Sequence, residues 1–533
     1  MDRAVKMGKD SATGSFQLFI GKIASTLALG IGSIIVGMFI DQGEYGLYTI
    51  ALVPVVTFLL FQDLGVNYAL TKYCANYRAA EKEGELRRII STGLVFSMTT
   101  GLALASISLL VANFVASTIF SRPESALLVA LASITILFGA IYGSSVAVFV
   151  GFERMKLGTI AMIVSATLQG LLSPLLVYFG FGAFGAMVGF AVASFGSGIT
   201  AVTLLYFAIF RRLPPESTGK TGFLHTLKPM LSYGIPIWIA AIISGIAPQI
   251  NSFVMASSTD ITLIGNYKIA TNFAVFLTFF TYPIQTVLFP AFSKLNPTKD
   301  KQLLKTVFAS SIKYSSLFLV PVTIALMVLS NPLIYAIYGA KWPSAPLFLT
   351  LAVIGELLVL IGNIIYGRLL YATGETKLIM KLHALQLSIV APLAFLLIPR
   401  FGILGLIMVG LVSSTPTAII GLYLTWKRYE TKADLQNSAK ILLASTIAGA
   451  ATYLFQATFV TAAWIMIVLG ATLFLIVYIV SIPLIGAANQ IDIDNLRAMF
   501  SGLGPVSQVL QLPLALVEAL LKFRRISLKN EQK

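Results

Sequence analysis

The chain is expected to be an all-α polytopic membrane protein of about fourteen transmembrane helices: two parallel six-helix lobes, two further spans and an amphipathic tail helix. Three observations predict this. Hydrophobic residues make up 57% of the 533 residues and charged residues 11%, whereas a soluble globule carries about 25% charged residues. Apolar runs of about 20 residues, long enough to cross about 30 Å of hydrocarbon as helices, recur from one end of the chain to the other. A spaced motif appears twice in the same order, which marks a duplicated bundle.

The apolar runs fall at about 16–40, 46–70, 89–117, 126–150, 157–179, 183–209, 229–257, 263–290, 306–330, 346–367, 379–398, 402–425, 441–460 and 463–486. The first follows a short basic N-terminus and is too long for a signal-peptide core, so it is expected to be retained as an anchor. The connecting loops alternate in charge. One set holds only Arg122, Lys341 and Arg400, and the spans hold Lys22, Lys268 and Lys313, so the rest of the 37 Lys and Arg residues lie in the other set or at the termini. By the positive-inside rule both termini are cytoplasmic and the span count is even. The net charge of +16 therefore reports topology and contact with anionic membrane lipids, and no nucleic-acid partner is expected.

The repeat supplies the domain organisation. Asp41, Gly46, Tyr48, Ile50 and Ala51 recur 219 residues on as Asp260, Gly265, Tyr267, Ile269 and Ala270. Arg122, Ser125, Ala126 and Leu128 return as Lys341, Ser344, Ala345 and Leu347, and Phe181, Gly182 and Gly185 return as Phe401, Gly402 and Gly405. Six spans separate the copies, an even number, so both enter the membrane in the same orientation. The expected domains are an N-lobe over 1–212, a linker over 213–227, a C-lobe over 228–428, two extra spans within 429–487 and a tail over 488–533. Pro214, Pro215, Gly219 and Gly222 break helix in the linker. In the tail, Ser507, Gln511, Glu518 and Lys522 form one polar stripe on an apolar segment from Pro505 to Arg525. That pattern suits a helix on the cytoplasmic surface, with Lys522, Arg524 and Arg525 toward lipid phosphates, or one packed under the bundle.

Several chemistries are excluded. Cys74 is the only cysteine, His225 and His383 stand alone, and no GxxxxGK[ST] phosphate loop occurs. Neither an intrachain disulfide nor a structural metal site is expected, and no cofactor or direct ATP coupling. The Asp492–Asp494 acid pair lacks the nucleotide-sugar domain that would make it a glycosyltransferase motif.

A charge near the centre of a span costs about 2.5–3.5 kcal/mol, so each one needs a partner, water or a function. Asp63, beside Gln62 and Asn67, reads as a proton or cation site or as a structural carboxylate of the first lobe. Lys268, near Asn266 and Asn272, reads as a phosphate or sugar ligand in a central cleft or as a snorkelling side chain; its counterpart in the first copy is Thr49. Lys22 has the same two readings. Glu356 is a proton-coupling candidate or a carboxylate kept neutral by desolvation. Lys313 reads as snorkelling, and Asp41 and Asp260 as helix caps. Prolines inside spans, notably Pro236 and Pro248, permit bending.

In this setting the chain resembles the multidrug/oligosaccharidyl-lipid/polysaccharide (MOP) exporter superfamily, in particular its polysaccharide-biosynthesis flippases. The resemblance spans about 12–430. It rests on the hinge at Gly46 and Tyr48, the DLG of Asp63 to Gly65 followed by Lys72, the turn GFERMK at Gly151 to Lys156, its copy TGETK at Thr373 to Lys377, and the paired FGxxG segments. The resemblance implies a V-shaped pair of bundles around a cavity that opens alternately to each side of the plasma membrane. It implies as substrate an oligosaccharide on a polyprenyl (pyro)phosphate, with Lys22, Asp63 and Lys268 as cavity residues and Asp63 or Glu356 as sites of H+ or Na+ coupling. Glycosyltransferases or a polymerase of the same pathway are expected partners. A fourteen-helix form also resembles the lipid II flippases, from which the sparse, lysine-based cation set departs. Cation-coupled drug efflux on the same fold, a glycan polymerase and a non-transporting scaffold are the competing functions.

Overall fold

The computed structural model describes residues 2–215, 222–459, 461–501, 511 and 514–522, with side chains from residue 21 onward except at a few positions within 282–290 and 498–501. Every regular element among them is helical. The first six expected spans are built from α1 (Asp2–Phe39), α2 (Gln42–Leu59), α3 (Val66–Ala79), α4 (Glu83–Phe114), α5 (Ala126–Gly151), α6 (Met155–Leu176) and α7 (Gly182–Ala208). The next six come from α8 (Phe223–Ser258), α9 (Ile261–Ala274), α10 (Thr278–Ser293), α11 (Lys301–Tyr338), α12 (Ala345–Val353), α13 (Asn363–Ala372) and α14 (Thr376–Tyr429). Then follow α15 (Leu435–Thr458), α16 (Ala463–Ile485) and α17 (Gln490–Ser501), with residues 514–522 also helical. The linker residues 216–221 and most of 502–513 lie outside the described residues, as do Arg524 and Arg525.

Ten helical segments among the described residues are long and apolar enough to cross a membrane, or eleven when one bent pair is taken as a single span. The expected count of fourteen is not reached, because several expected spans are broken or fused. Two of the ten, Met155–Arg212 and Thr376–Tyr429, run for 58 and 54 residues. At about 1.5 Å per residue a straight helix of that length would far exceed a bilayer. Each is interrupted at a repeat-equivalent glycine, Gly182 at φ 47, ψ −134 and Gly402 at φ 57, ψ −129. That backbone conformation is essentially closed to any residue with a Cβ. The bent pair is Ala345–Ile361 and Asn363–Ala372, meeting at 56°.

The copies share other local geometry. α2 and α9 both start just after the repeated aspartate, and α5 and α12 both start at the repeated Ser-Ala, with Ser125 and Ser344 in nearly the same backbone conformation. The capping expectation holds for one aspartate. Asp260 accepts from the backbone N–H groups of Thr262 and Leu263 at 2.9 and 3.3 Å, whereas Asp41 makes no side-chain cap.

The turns that carried the resemblance prove to be structural clasps. Arg78 donates to Phe152 O at 2.6 Å and pairs with Glu153, and Arg154 donates to Ala208 O, which fastens the GFERMK turn. In the TGETK turn Glu375 pairs with Arg428 at 2.6 Å.

The chain divides into two compact units, residues 1–272 with 383–409 and residues 273–382 with 410–533. The core of the first includes Leu70, Cys74, Ile90, Phe149 and Met230, all buried. The second has one core around Phe308, Leu369 and Leu370, and another in which Leu514 and Val517 of the tail pack with Leu317, Phe474 and Tyr478. The described part of the tail helix is thus packed against α11 and α16, the second of the two placements open to it. Outward faces are apolar: Leu102, near the middle of the Glu83–Ile119 crossing, is 57% exposed, and Leu110 toward its end is 82% exposed, as lipid solvent allows. The chain is a multi-pass membrane protein.

Candidate functional site: a polar cavity at Lys268

α2 meets α9 at one end and α8 at the other. At one end Gly46 lies against Ile261 and Gly265 against Gln42, close enough that a Cβ on either glycine would fall about 2.1–2.2 Å from a backbone oxygen. Here Asn266 donates to Gln42 Oε1 at 2.9 Å, and Arg122 donates to Thr259 O at 2.6 Å. At the other end Trp238 Nε1 donates to Leu60 O at 2.8 Å. Beyond it, Gly65 and Gly234 touch through bare backbone, and Lys72 lies 3.8 Å from the centroid of the Tyr233 ring.

Between these closures is a cavity of about 150 Å³ bordered by α1, α2, α6, α7 and α9. Its polar wall is Ser33, Tyr45, Tyr48, Gln169, Ser173 and Lys268. The tyrosines are held in place: their rings stack at 6.0 Å, Asn272 donates to the Tyr45 hydroxyl at 2.9 Å, and Tyr48 hydrogen-bonds Gln169. Lys268 is half-buried, brings the only charge to the wall, and has no ion-pair partner among the described residues. The repeat-equivalent Thr49 instead turns its hydroxyl back onto Tyr45 O at 2.7 Å. One ammonium among hydroxyl and amide groups can accept an oxyanion with no covalent chemistry. A water occupies about 30 Å³ of liquid, so the volume admits a compact anionic group but not an oligosaccharide, and larger cargo requires the closures to part.

The other sequence candidates lie elsewhere. Asp63 sits in the break between α2 and α3, where its carboxylate accepts from the Gly65 N–H at 3.0 Å. Nearby Asn67 Oδ1 accepts from Ser144, and Ser144 bonds Ser97 at 2.5 Å. Lys22 is exposed on α1, eleven residues from Ser33, and does not line the cavity. Glu356 is half-buried in the second unit, in an eight-residue 3₁₀ segment, Ile354–Ile361, beside the 56° bend. Such a run is twice the usual length for 3₁₀ structure, which often marks a hinge. Lys313 does not snorkel freely: it donates to Asp492 at 2.6 Å, so the first acid of the tail pair is its structural partner, while Asp494 accepts from Gln490. Sequence reading missed Tyr45, Gln169, Ser33 and Ser173 as wall residues. The retained Tyr48/Tyr267 pair and a glutamine in an otherwise apolar span were the available signals.

Comparison with known proteins identifies the family and the fold. A family model described as "Polysaccharide biosynthesis protein" matches residues 35–346, more than half of the chain, and one described as "Lipid II flippase MurJ" matches residues 235–475. The lipopolysaccharide biosynthesis protein WzxC of Escherichia coli K12 is 26% identical over 403 residues, covering 74% of this chain and 75% of its own length. Among solved structures, the lipid II flippase MurJ in an inward closed conformation superposes with a TM-score of 0.68 at 17% identity, covering 87% of this chain and 97% of that one. An inward-facing MATE-family multidrug resistance transporter of the MOP superfamily gives 0.63 at 15% identity, covering 76% and 94%. The chain belongs to the polysaccharide biosynthesis protein family.

Proposed function

We propose that this protein is a flippase that moves a polyprenyl-(pyro)phosphate-linked oligosaccharide across the plasma membrane for cell-surface polysaccharide assembly. The observation that carries the reading is Lys268, a cation with no carboxylate partner among the described residues, in the wall of a polar cavity on a fold similar to that of a lipid II flippase. The ammonium would hold a phosphate or sugar-acid oxygen, and the polar wall would shelter the headgroup while the prenyl tail stays in lipid. No bond is made or broken, so the role is transport and not catalysis.

In this reading the lobes over 1–212 and 228–428 rock about the cavity, the two closures of α2 open alternately, and both termini are cytoplasmic. A ligand shifts two states only by its differential affinity for them, so direction needs a second driving force. H+ or Na+ coupling at Asp63 is supported by its neighbours Asn67, Ser97 and Ser144 and by the buried Gln62 Oε1, which has no hydrogen-bond partner among the described residues; Glu356 at its bend is the other candidate. Glycosyltransferases or a polymerase would supply and consume the cargo.

The test is flipping of a polyprenyl-linked oligosaccharide in proteoliposomes. Lys268→Ala should lower the rate at least tenfold, Lys268→Arg should retain part of it, and Asp63→Asn should remove its dependence on an ion gradient. Wild-type rates for Lys268→Ala would remove the lysine from the site.

A further inference from the structure

A second basic hollow lies apart from the cavity, where α11 begins and α14 ends. It is open, about 510 Å³ in volume, and is walled by Gln302, Lys305, Thr306, Trp426, Glu430 and Lys432. Lys432 stands 5.8 Å from the centroid of the Trp426 ring. Glu430, at φ 55 just past the end of α14, accepts from Lys305 at 2.7 Å and also from Lys301. Two ammonium groups therefore share one carboxylate, and the Lys432 ammonium adds a further positive charge to the hollow. A line of outward apolar side chains on α14 leads to this hollow: Val412, Ile419, Tyr423 and Trp426 are 49%, 55%, 52% and 43% exposed, and their spacing keeps them near one face. From Val412 to Trp426 that face is about 21 Å long at 1.5 Å per residue. Exposed Tyr and Trp rings at the end of a span mark the headgroup level of a bilayer.

We propose that this hollow binds the headgroup phosphate of an anionic glycerophospholipid in the leaflet on the basic-loop side, with an acyl chain against Ile419 and Val412. The basic groups alone would suit any phosphate, whereas the apolar line beneath them suits only a ligand that brings a hydrocarbon chain. Lys305 and Lys432 meet the phosphate, Gln302 donates to its ester oxygens, and Trp426 packs the glycerol. Glu430 opposes binding by engaging Lys301 and Lys305, so its removal should tighten the site.

The test is lipid titration of the full chain in neutral detergent, read by native mass spectrometry, with phosphatidylglycerol, phosphatidylcholine and free glycerol phosphate as probes. Phosphatidylglycerol should be retained over phosphatidylcholine. Lys305→Gln with Lys432→Gln should weaken it about fivefold per lysine, and Glu430→Gln should strengthen it. Melting in detergent without added lipid serves as the folding control, and Glu430→Gln keeps the test alive if the double lysine variant does not fold. The proposal is overturned if phosphatidylglycerol retention is the same in all variants, or if glycerol phosphate competes as well as the intact lipid.

Discussion

Removing Asp492 should undock α17. Its carboxylate meets Lys313 of α11 at 2.6 Å, with side chains 8% and 14% exposed, and also accepts from the Asn489 N–H at 2.7 Å. Asp492→Ala leaves an ammonium buried without a counter-charge, at a cost of about 3–5 kcal/mol. The chain can escape that cost by letting α17 leave and water reach Lys313. Undocking exposes Ile493 and Leu496, now 2% and 5% exposed, and burial of each is worth about 1.5–3 kcal/mol. The two costs are similar, so the substitution should bring docked and undocked forms within reach of each other. Hydrogen exchange in α17 should then quicken about 100-fold, which corresponds to about 3 kcal/mol of lost local stability. Replacing both partners, Lys313→Met with Asp492→Leu, should restore most of the protection, because a buried pair exchanged for apolar groups is close to neutral. Exchange in Asp492→Ala within threefold of wild type would refute the reasoning, as would a double variant no better than the single one.

Three further outcomes follow from particular contacts. Gly234→Ala places a Cβ 2.5 Å from Gly65 O and should destabilise the α3–α8 closure by about 1–3 kcal/mol; crosslinking between cysteines placed on α3 and α8 should fall. Gly402→Ala forces a Cβ into φ 57, ψ −129 and should cost about 1–3 kcal/mol in melting experiments, with Gly182→Ala showing the same effect at the equivalent turn. The carboxyl of Glu430 is pulled from the usual 4.5 to about 2 by the hydrogen bonds from Lys301 and Lys305. A depressed folded-state value stabilises above the unfolded one and fades below it. The melting difference between wild type and Glu430→Gln should therefore hold steady from pH 8 to about 5 and vanish as pH falls from about 4.5 toward 2.

The candidate site was legible in part. Lys268 stood out in the sequence because a lysine inside a span is costly, and because the matching position in the other copy is Thr49. Its surroundings were not legible, since Ser33, Tyr48 and Gln169 are more than a hundred residues apart at the extremes and meet only through packing of α1, α2 and α6. Lys22, Asp63 and Lys268 were grouped as cavity residues by the family resemblance. Membership of the same helices says nothing about azimuth, and the helix break at Asp63 turns its carboxylate onto the Gly65 N–H, away from the cavity wall.

The sequence by itself determined the membrane class, the all-helical fold and the duplication. These follow from local quantities: the length of apolar runs, the desolvation cost of a backbone outside a helix, and residue identities at a fixed offset. Even the turn-making glycines of the two copies, Gly182 and Gly402, could be paired before any coordinates, and both adopt the same positive-φ backbone. Only the tertiary structure decided which charges are partnered. Lys313 and Asp492 neutralise each other across 179 residues, and Glu430 engages Lys301 and Lys305, whereas Lys268 lines a polar cavity. Pairing depends on which helix faces meet over a few ångströms, a property of packing between distant segments that composition, hydropathy and spacing do not encode.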